Sequence, residues 1–430
     1  MVRKWIFACA ALAMISFSCS NKTSDSSEQK ADNIEKKVEA VKPVKPSSPF
    51  GKVSPSSKEV EILMPLEYPT DSPVAKWGKL KVGKDKNGYR CLCDEKGNPV
   101  QLRGMSSHGM QWAGVANITE ENIKSLAKDW NCNVFRLAFY VDEEGGYAYN
   151  PTHRTRHLEN VVKWCAENGM YLLIDWHVHS PGNPQSAYYR KHPSCGVDLA
   201  ADFFTYCSRR FQYQKHVIYE LCNEPNSTKG EVTWQRHIKP YCEDMLKIIR
   251  SNDKDVICVC GTPEWSQRPQ DVIGNEPQDG DGNVYENLMY SFHFYSASHN
   301  DGTPVDSFSI AAGIKGPDFM TPFQKGDTTR GIPCILKELP IFVTEFGTTD
   351  ASGWYNFCPE MTDKWLKIFD GDNDAHQIVS WCNWSYSAEG GECAALKWND
   401  GKMYPLDPKI LTRSGEYIIK KLKAKNKSSL

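Results

Sequence analysis

Apart from one short apolar stretch at its start, this 430-residue chain has no long hydrophobic run, so nothing in it reads as a membrane-spanning helix. It also lacks a basic block. Net charge is −2, which makes nucleic acid a poor partner, and none is expected. Cys-x2-Cys pairs of the kind that hold zinc are missing; the close pairs are Cys91/Cys93 and Cys258/Cys260, each split by a single residue. No internal repeat is evident, and no separate module follows the main body of the sequence.

What is present is ample apolar text. Hydrophobic side chains make up 40% of the chain, enough for one large core or two ordinary ones. Thirteen Trp and nineteen Tyr supply rings for that core, and exposed rings also make platforms that suit sugars. Of sixteen cysteines, Cys9 and Cys19 fall at the extreme N-terminus; among the remaining fourteen some disulfides are expected if the protein is exported.

Export is what residues 1–19 imply. "MVRK" gives positive charge, "WIFACAALAMI" a short apolar run, and "SFSCS" small residues, the layout of a secretory signal. Two cleavage readings stand side by side. Ser16 and Ser18 fit an ordinary small-x-small site; Cys19, followed by soluble Ser/Lys-rich text, fits a bacterial lipoprotein with a lipid anchor on that cysteine. The destination is then an outer-membrane or cell-surface lipoprotein, or a secreted or periplasmic protein. Residues 20–70 are rich in Ser, Lys, Glu and Pro and cannot bury enough apolar surface to offset their ordering entropy, so they read as a tether. Residues 71–425 remain as one folded domain, expected to be a monomer.

In that domain, short runs of β-branched and aromatic residues recur at intervals: 100–108, 133–140, 171–177, 217–224, 255–262, 288–295, 340–347 and 378–385. Most are continuously apolar, as strands buried on both faces should be. Helical text separates them, as in "TEENIKSLAKDW" with Thr119 as N-cap and "RHLENVVKWCAENG" stopping at Gly169. Pro240 should kink or restart the helix after the fourth strand. Turn signals at Asn87-Gly88 and Gly97-Asn98 mark a β-ribbon ahead of the first strand. Eight β/α units predict an α/β (β/α)8 TIM barrel whose bottom the ribbon closes. An open doubly wound sheet would want a Gly-rich phosphate turn after its first strand, and there is none.

Each run turns polar at its C-terminal end: His108, Arg136, His177, Asn223-Glu224, Trp265, His293 with Tyr295, Glu345 and Trp384. A barrel gathers those ends on one rim, where sites of this fold lie. The tripeptide Asn-Glu-Pro occurs twice. Glu224 follows the apolar "VIYELC" and should face the rim, whereas Glu276 sits in polar, Gly-rich text and should be a turn. Two carboxylates across a barrel mouth, Glu224 and Glu345, fit glycoside hydrolysis, in which one is a proton donor and the other an ionised nucleophile. Arg136 would hold Glu345 ionised, and no comparable cation is evident beside Glu224. The mechanism calls for no metal and no cofactor.

The motifs "GNPVQLRGMSSHGMQW", "VFRLAFY", "LIDWH", "VIYELCNEPN", "TWQRHIKPY", "PEWSQ", "SFHFYSASH", "PIFVTEFG", "SWCNWS" and "SAEGGECAAL", in this order, resemble the bacterial endo-β-1,4-glucanases of glycoside hydrolase family 5 over nearly all of residues 72–420. The resemblance implies a retaining enzyme acting on β-1,4-glucan, with Glu224 as acid/base and Glu345 as nucleophile. It implies that Asn223 binds the hydroxyl beside the reacting carbon and that Arg136 and Tyr295 hydrogen-bond the nucleophile. His177 and His293 would line the central subsite over Trp384, with Tyr140 among the substrate contacts. His108 and Trp112 would meet the next sugar on the non-reducing side, and Trp265 the leaving group. Trp176 reads as core.

Departures stand out. Where the family places a Lys and then a Glu for distal sugars, this chain has Glu389 and Gly391, with Glu392 displaced by one, so Glu389 and Glu392 are only candidate contacts. From Asp301 to Lys337 a longer loop replaces a short sixth helix. Mannan, lichenan or xyloglucan are competing substrates, and an inactive surface glycan-binding lipoprotein is a competing class that loss of either glutamate would have favoured.

Overall fold

The computed structural model describes residues 60–424 apart from 111, 150, 194 and 400–405, and the side chains of 112–114, 152 and 153 also fall outside the description. The signal, Cys19 and most of the tether therefore lie outside the described residues. No described helix is long and apolar enough to cross a membrane.

Eight parallel strands close into a barrel: β3 (Arg103–Ser107), β4 (Val134–Tyr140), β5 (Tyr171–His177), β6 (Val217–Glu220), β7 (Cys258–Cys260), β8 (Leu288–Tyr295), β9 (Ile341–Gly347) and β10 (Ser380–Tyr386), with β10 pairing β3. Before them β1 (Lys81–Lys84) and β2 (Arg90–Cys93) form the expected antiparallel ribbon. Side-chain alternation explains the two-layered core. Outward residues such as Phe135, Leu172, Tyr219 and Phe292 pack against the helices. Inward residues at the strand starts, Val134, Leu173, Ile218, Val259, Met289 and Phe342, meet Leu80 and Leu92 of the ribbon segment in a separate cluster that plugs the barrel floor.

Local chemistry sets the helix limits. Thr119 caps Glu120–Lys128 by accepting from the Asn122 N–H, and Asp198 caps Leu199–Arg210 in the same way. The helix Pro151–Glu167 ends before Gly169, whose φ of +66° and close contact with Ser72 leave no room for a Cβ. Pro240 restarts its helix as expected: one π-turn, Trp234–Ile238, gives way to an α-helix at Lys239, where the missing proline N–H costs nothing.

Four findings differ from the sequence reading. Residues 60–70, assigned to the tether, lie against the barrel: Gln214 bonds the Leu63 and Met64 carbonyls, and Tyr68 Oη reaches His216 at 2.9 Å. The helix Pro359–Phe369, anchored by buried Trp365, went unread. The stretch 301–337 is not loop throughout; it carries three short helices, Ser307–Ala312, Thr321–Gln324 and Ile335–Glu338. Finally, all fourteen cysteines of the domain are free thiols, twelve of them buried, and even the neighbouring Cys91 and Cys93 sulfurs stand 3.7 Å apart, so the expected disulfides are not formed.

Candidate active site

Arg136 is the centre of the barrel mouth. It points inward from β4, is fully buried, and distributes its N–H groups over five partners. Nε donates to Glu220 at 2.7 Å, and Nη1 to Glu345 at 3.0 Å and Ser106 at 3.2 Å. Nη2 donates to Asn223 at 2.6 Å and lies 2.9 Å from Asp175. Burial opposes a charge here, but Asp175, Glu220 and Glu345 outweigh it and hold the guanidinium well above its ordinary pKa.

Glu345 owes its direction to an irregularity. Opposite β9, Ser291 pairs with Phe342 and His293 with Glu345, so β9 spends one residue more than β8 over the same span. Such a bulge breaks strict alternation. In a regular strand Thr344 would face inward and Glu345 outward; here both side chains make bonds in the interior. Glu345 Oε1 accepts from Tyr295 Oη at 2.9 Å, and Oε2 from Arg136. Thr344 Oγ1 donates to Glu220 at 2.6 Å and meets His293 Nε2 at 2.9 Å.

Glu224 lies past the end of β6, on a segment that continues extended: Leu221 N–H bonds Val259 O and Asn223 N–H bonds Trp176 O. Its carboxylate is partly exposed and sits 2.9 Å from His293 Nδ1. Despite burial, bonds with Glu220 and Glu224 raise His293 to a pKa of about 9. The sequence expectation of no cation beside Glu224 is thus corrected: a histidine carries that charge, and its residue type alone did not reveal it. The expectation for Glu345 also changes. Burial pushes its carboxyl above the ordinary range, His293 and Arg136 pull it down, and Glu224 pushes it up. Arg136 acts on three carboxylates rather than one.

Around these carboxylates the aromatic residues assemble as expected. Trp384 is 8% exposed and stacks on His177 at 5.5 Å and 10°, with His108 edge-on at 5.3 Å. Tyr140 stacks on His177, with ring centroids 4.2 Å apart and 29° between the planes. His177 is kept well below its ordinary pKa by burial and surrounding cations, and Asp175 fixes its Nδ1 at 2.6 Å. Trp265 stands exposed in a turn where Glu264, Trp265 and Ser266 all have φ near +55°. Three side-chain-bearing residues in that region cost strain, which is held by the Trp265 N–H on Pro225 O and the Ser266 hydroxyl on Asn223 O. The turn is therefore locked to the Glu224 segment.

Glu389 reaches the site through His108, 3.4 Å away. Glu392 is engaged elsewhere, with Arg413 and the Phe357 N–H, and makes no bond to the cluster. The Trp112 side chain lies outside the described residues. Trp176 packs on Phe203 at 4.8 Å, in the core as expected. Sequence reading missed Asp175, Glu220, Thr344 and His179, whose Nε2 lies 3.2 Å from that of His177. A charged residue inside an apolar strand, as in "LLIDWH" and "VIYELC", was the available signal for the first two.

Glu224, His293 and Glu345 present one donor atom each within 4.8 Å of one another, a set that could hold a cation. Those atoms already bond inside the protein, His293 to Glu224 and Glu345 to Tyr295 and Arg136, and both His293 itself and the adjoining Arg136 favour the positive form. The geometry fits two carboxyls acting on one bond.

The model of "Cellulase (glycosyl hydrolase family 5)" matches residues 93–390. Cellulase CelDZ1 of Thermoanaerobacterium sp. is 34% identical over 358 residues, 80% of this chain and 82% of that protein. Endoglucanase E-5 of Thermobifida fusca is 31% identical over 365 residues, covering 83% of this chain and 66% of its own length. The solved cellulase Cel5C_n superposes with a TM-score of 0.65 at 35% identity over 84% of this chain and 96% of its own. The chain belongs to glycosyl hydrolase family 5 as a glycoside hydrolase of the endoglucanase type.

Proposed function

We propose that the enzyme is a retaining endo-β-1,4-glucanase, cutting internal bonds of soluble or amorphous cellulose through a covalent glycosyl-enzyme. One observation carries the mechanism: oxygens of Glu224 and Glu345 lie within 4.8 Å. Retaining pairs stand about 5–5.5 Å apart and inverting pairs about 6.5–9.5 Å, because the latter must admit a water. Glu345, with both oxygens hydrogen-bonded, attacks the anomeric carbon while Glu224 passes its proton to the departing oxygen. His293 then steadies the Glu224 carboxylate, which takes a proton from the water that releases the sugar. Asn223, oriented by Arg136, faces the hydroxyl next to the reacting carbon, and Trp384 lies beneath the ring.

Support for the substrate comes from relatives. A variant of the T. fusca endoglucanase catalytic domain, 30% identical to this chain, has been solved with cellotetraose. Two measurements test the reading. Proton NMR of the first product should show the β-anomer; an α-anomer would sink the retaining mechanism. Reducing-end release should be greatest from carboxymethyl-cellulose, and a preference for mannan or lichenan would overturn the substrate. For the N-terminal segment the proposal is export with a lipid on Cys19, so that Cys19→Ala frees a membrane-bound protein; unmutated protein found already free would favour ordinary cleavage.

A further inference from the structure

From Trp384 a short series of contacts leads to the turn that holds Gly391. Trp384 meets His108, His108 meets Glu389, and two residues on stands Gly391. A Cβ at Gly391 would fall 2.5 Å from Trp354 Cα and 2.8 Å from ring atoms Cδ2 and Cε3, so the bare glycine is what lets the Trp354 indole lie across this turn. Gly391 also has φ of +74°, a second reason for glycine. Trp354 belongs to the loop directly after β9, the strand that carries Glu345.

The loop is firmly built. Cys393 N–H bonds Gly353 O at 3.0 Å, and Phe357 N–H bonds Glu392 Oε2 at 3.1 Å. Asp350 N–H bonds Tyr355 O at 3.0 Å, and Ala351 N–H bonds the Ser298 hydroxyl at 2.9 Å. Behind it Cys393 is buried in the same cluster as Trp384 and Tyr295. Glu392 braces the loop through its bond to the Phe357 N–H. Yet the two rings held by this frame are left open, Trp354 at 52% and Tyr355 at 68% exposure. A rigid frame presenting large bare rings is the arrangement of a binding platform, since an aromatic face gains from apolar contact while its edge tolerates water.

We propose that Trp354 and Tyr355 form an added sugar-binding position, a stacking platform for a β-1,4-linked glucose unit on the His108–Glu389 side of the cleft, beyond the units held over Trp384 and beside His108. This deepens, and rests on, the glucanase reading. The occupant is a sugar because the platform is continuous with the mouth where the chain is cut, and because a flat pyranose offers an apolar face with polar edges.

The test compares a short substrate with a long one. p-Nitrophenyl β-cellobioside ends before the platform, whereas cellopentaose can reach it. In Trp354→Ala and Tyr355→Ala, kcat/KM on cellopentaose should fall about three- to tenfold each, the size of one aromatic contact, while turnover of the cellobioside stays within about twofold. Trp354→Phe should restore most of the loss. Equal losses on both substrates would show a merely structural role, and no loss on cellopentaose would show an idle ring; either overturns the platform. Calorimetry of cellopentaose binding to Glu224→Gln protein, with and without Trp354→Ala, separates the two readings. Should the wild type cut neither substrate, the glucanase reading falls, and an affinity unmoved by Trp354→Ala would then overturn the platform on its own.

Discussion

Asn223-Glu224-Pro225 and Asn275-Glu276-Pro277 share three residues and almost nothing else. Both glutamates draw a partner from β8, from residues three apart. Glu224 takes His293, which points into the barrel; Glu276 takes Tyr290 Oη at 3.0 Å, which points out. Both tripeptides also involve an arginine. Arg136 holds Asn223 and leaves Glu224 partly open at the mouth. Arg90, from the ribbon at the floor, grips both oxygens of Glu276 at 2.7 and 2.9 Å. Asn275 is consumed as well, by Trp234 and Lys239. In the second tripeptide both carboxylate oxygens are taken, in a pairing that ties ribbon to barrel. In the first, the carboxylate has one partner inside and solvent outside. A carboxylate left partly open at the mouth beside a second one can do chemistry, whereas one gripped at both oxygens by the ribbon's Arg90 fastens.

That contrast is broken most directly by exchanging charge for amide at each site. Glu224→Gln should lower turnover of unactivated glucan by about 10²–10⁴, the worth of a general acid, with little change in thermal stability. Glu276→Gln should leave turnover within a few-fold and cost about 1 kcal/mol of stability, a modest figure because Arg90 is a third exposed. Comparable activity losses from both would refute the division.

The two arginines sharpen it. Arg136→Lys keeps a charge but forfeits a planar fork serving five partners, so turnover should drop about a hundredfold. The sign of the pH effect follows from Glu345, whose carboxyl burial already raises and Arg136 partly restrains. With that restraint weakened, the pKa climbs and the acid limb of the rate profile moves to higher pH. An unmoved acid limb would assign the restraint to His293 and Tyr295. Arg90→Ala should act on melting temperature alone.

A smaller effect concerns the charge beneath Glu224. Against its burial, Arg136 and His293 hold Glu220 below its ordinary pKa, and it in turn helps hold His293 near 9. Glu220→Gln removes that counter-charge, so the His293 titration, followed by NMR, should fall toward the ordinary value of about 6.5. A titration left in place would mean that Glu224 and Glu345 suffice.

Much of this was legible in the sequence. The eight apolar runs became the eight barrel strands, and the polar residues at their ends became one rim, because strand direction and closure leave them nowhere else to go. The ribbon, the caps and the Pro240 restart were equally local. What stayed hidden depends on pairing between distant segments. Nothing near His293 in the chain says that Glu220 and Glu224 flank its two ring nitrogens. Residues 60–70 carry apolar side chains of their own, Val60, Ile62, Leu63, Met64 and Leu66, but they continue the Ser/Lys/Pro-rich text before them, and only the bonds with Gln214 show where they lie. Fourteen cysteines in a chain whose start reads as an export signal argued for bridges, whereas all are free thiols and the twelve buried ones serve as small apolar fillers.

The bulge in β9 has a consequence for how this enzyme tolerates change. A substitution at Thr344 alters one side chain, but a single-residue deletion at that point would restore strict alternation and lower Glu345 one rung toward the barrel floor, away from the Tyr295 hydroxyl. The nucleophile's position is thus recorded in the number of residues that precede it as well as in its identity. Sequence drift that conserves length can rewrite most of β9, while the loss of three nucleotides in the gene would silence the enzyme with both glutamates still present.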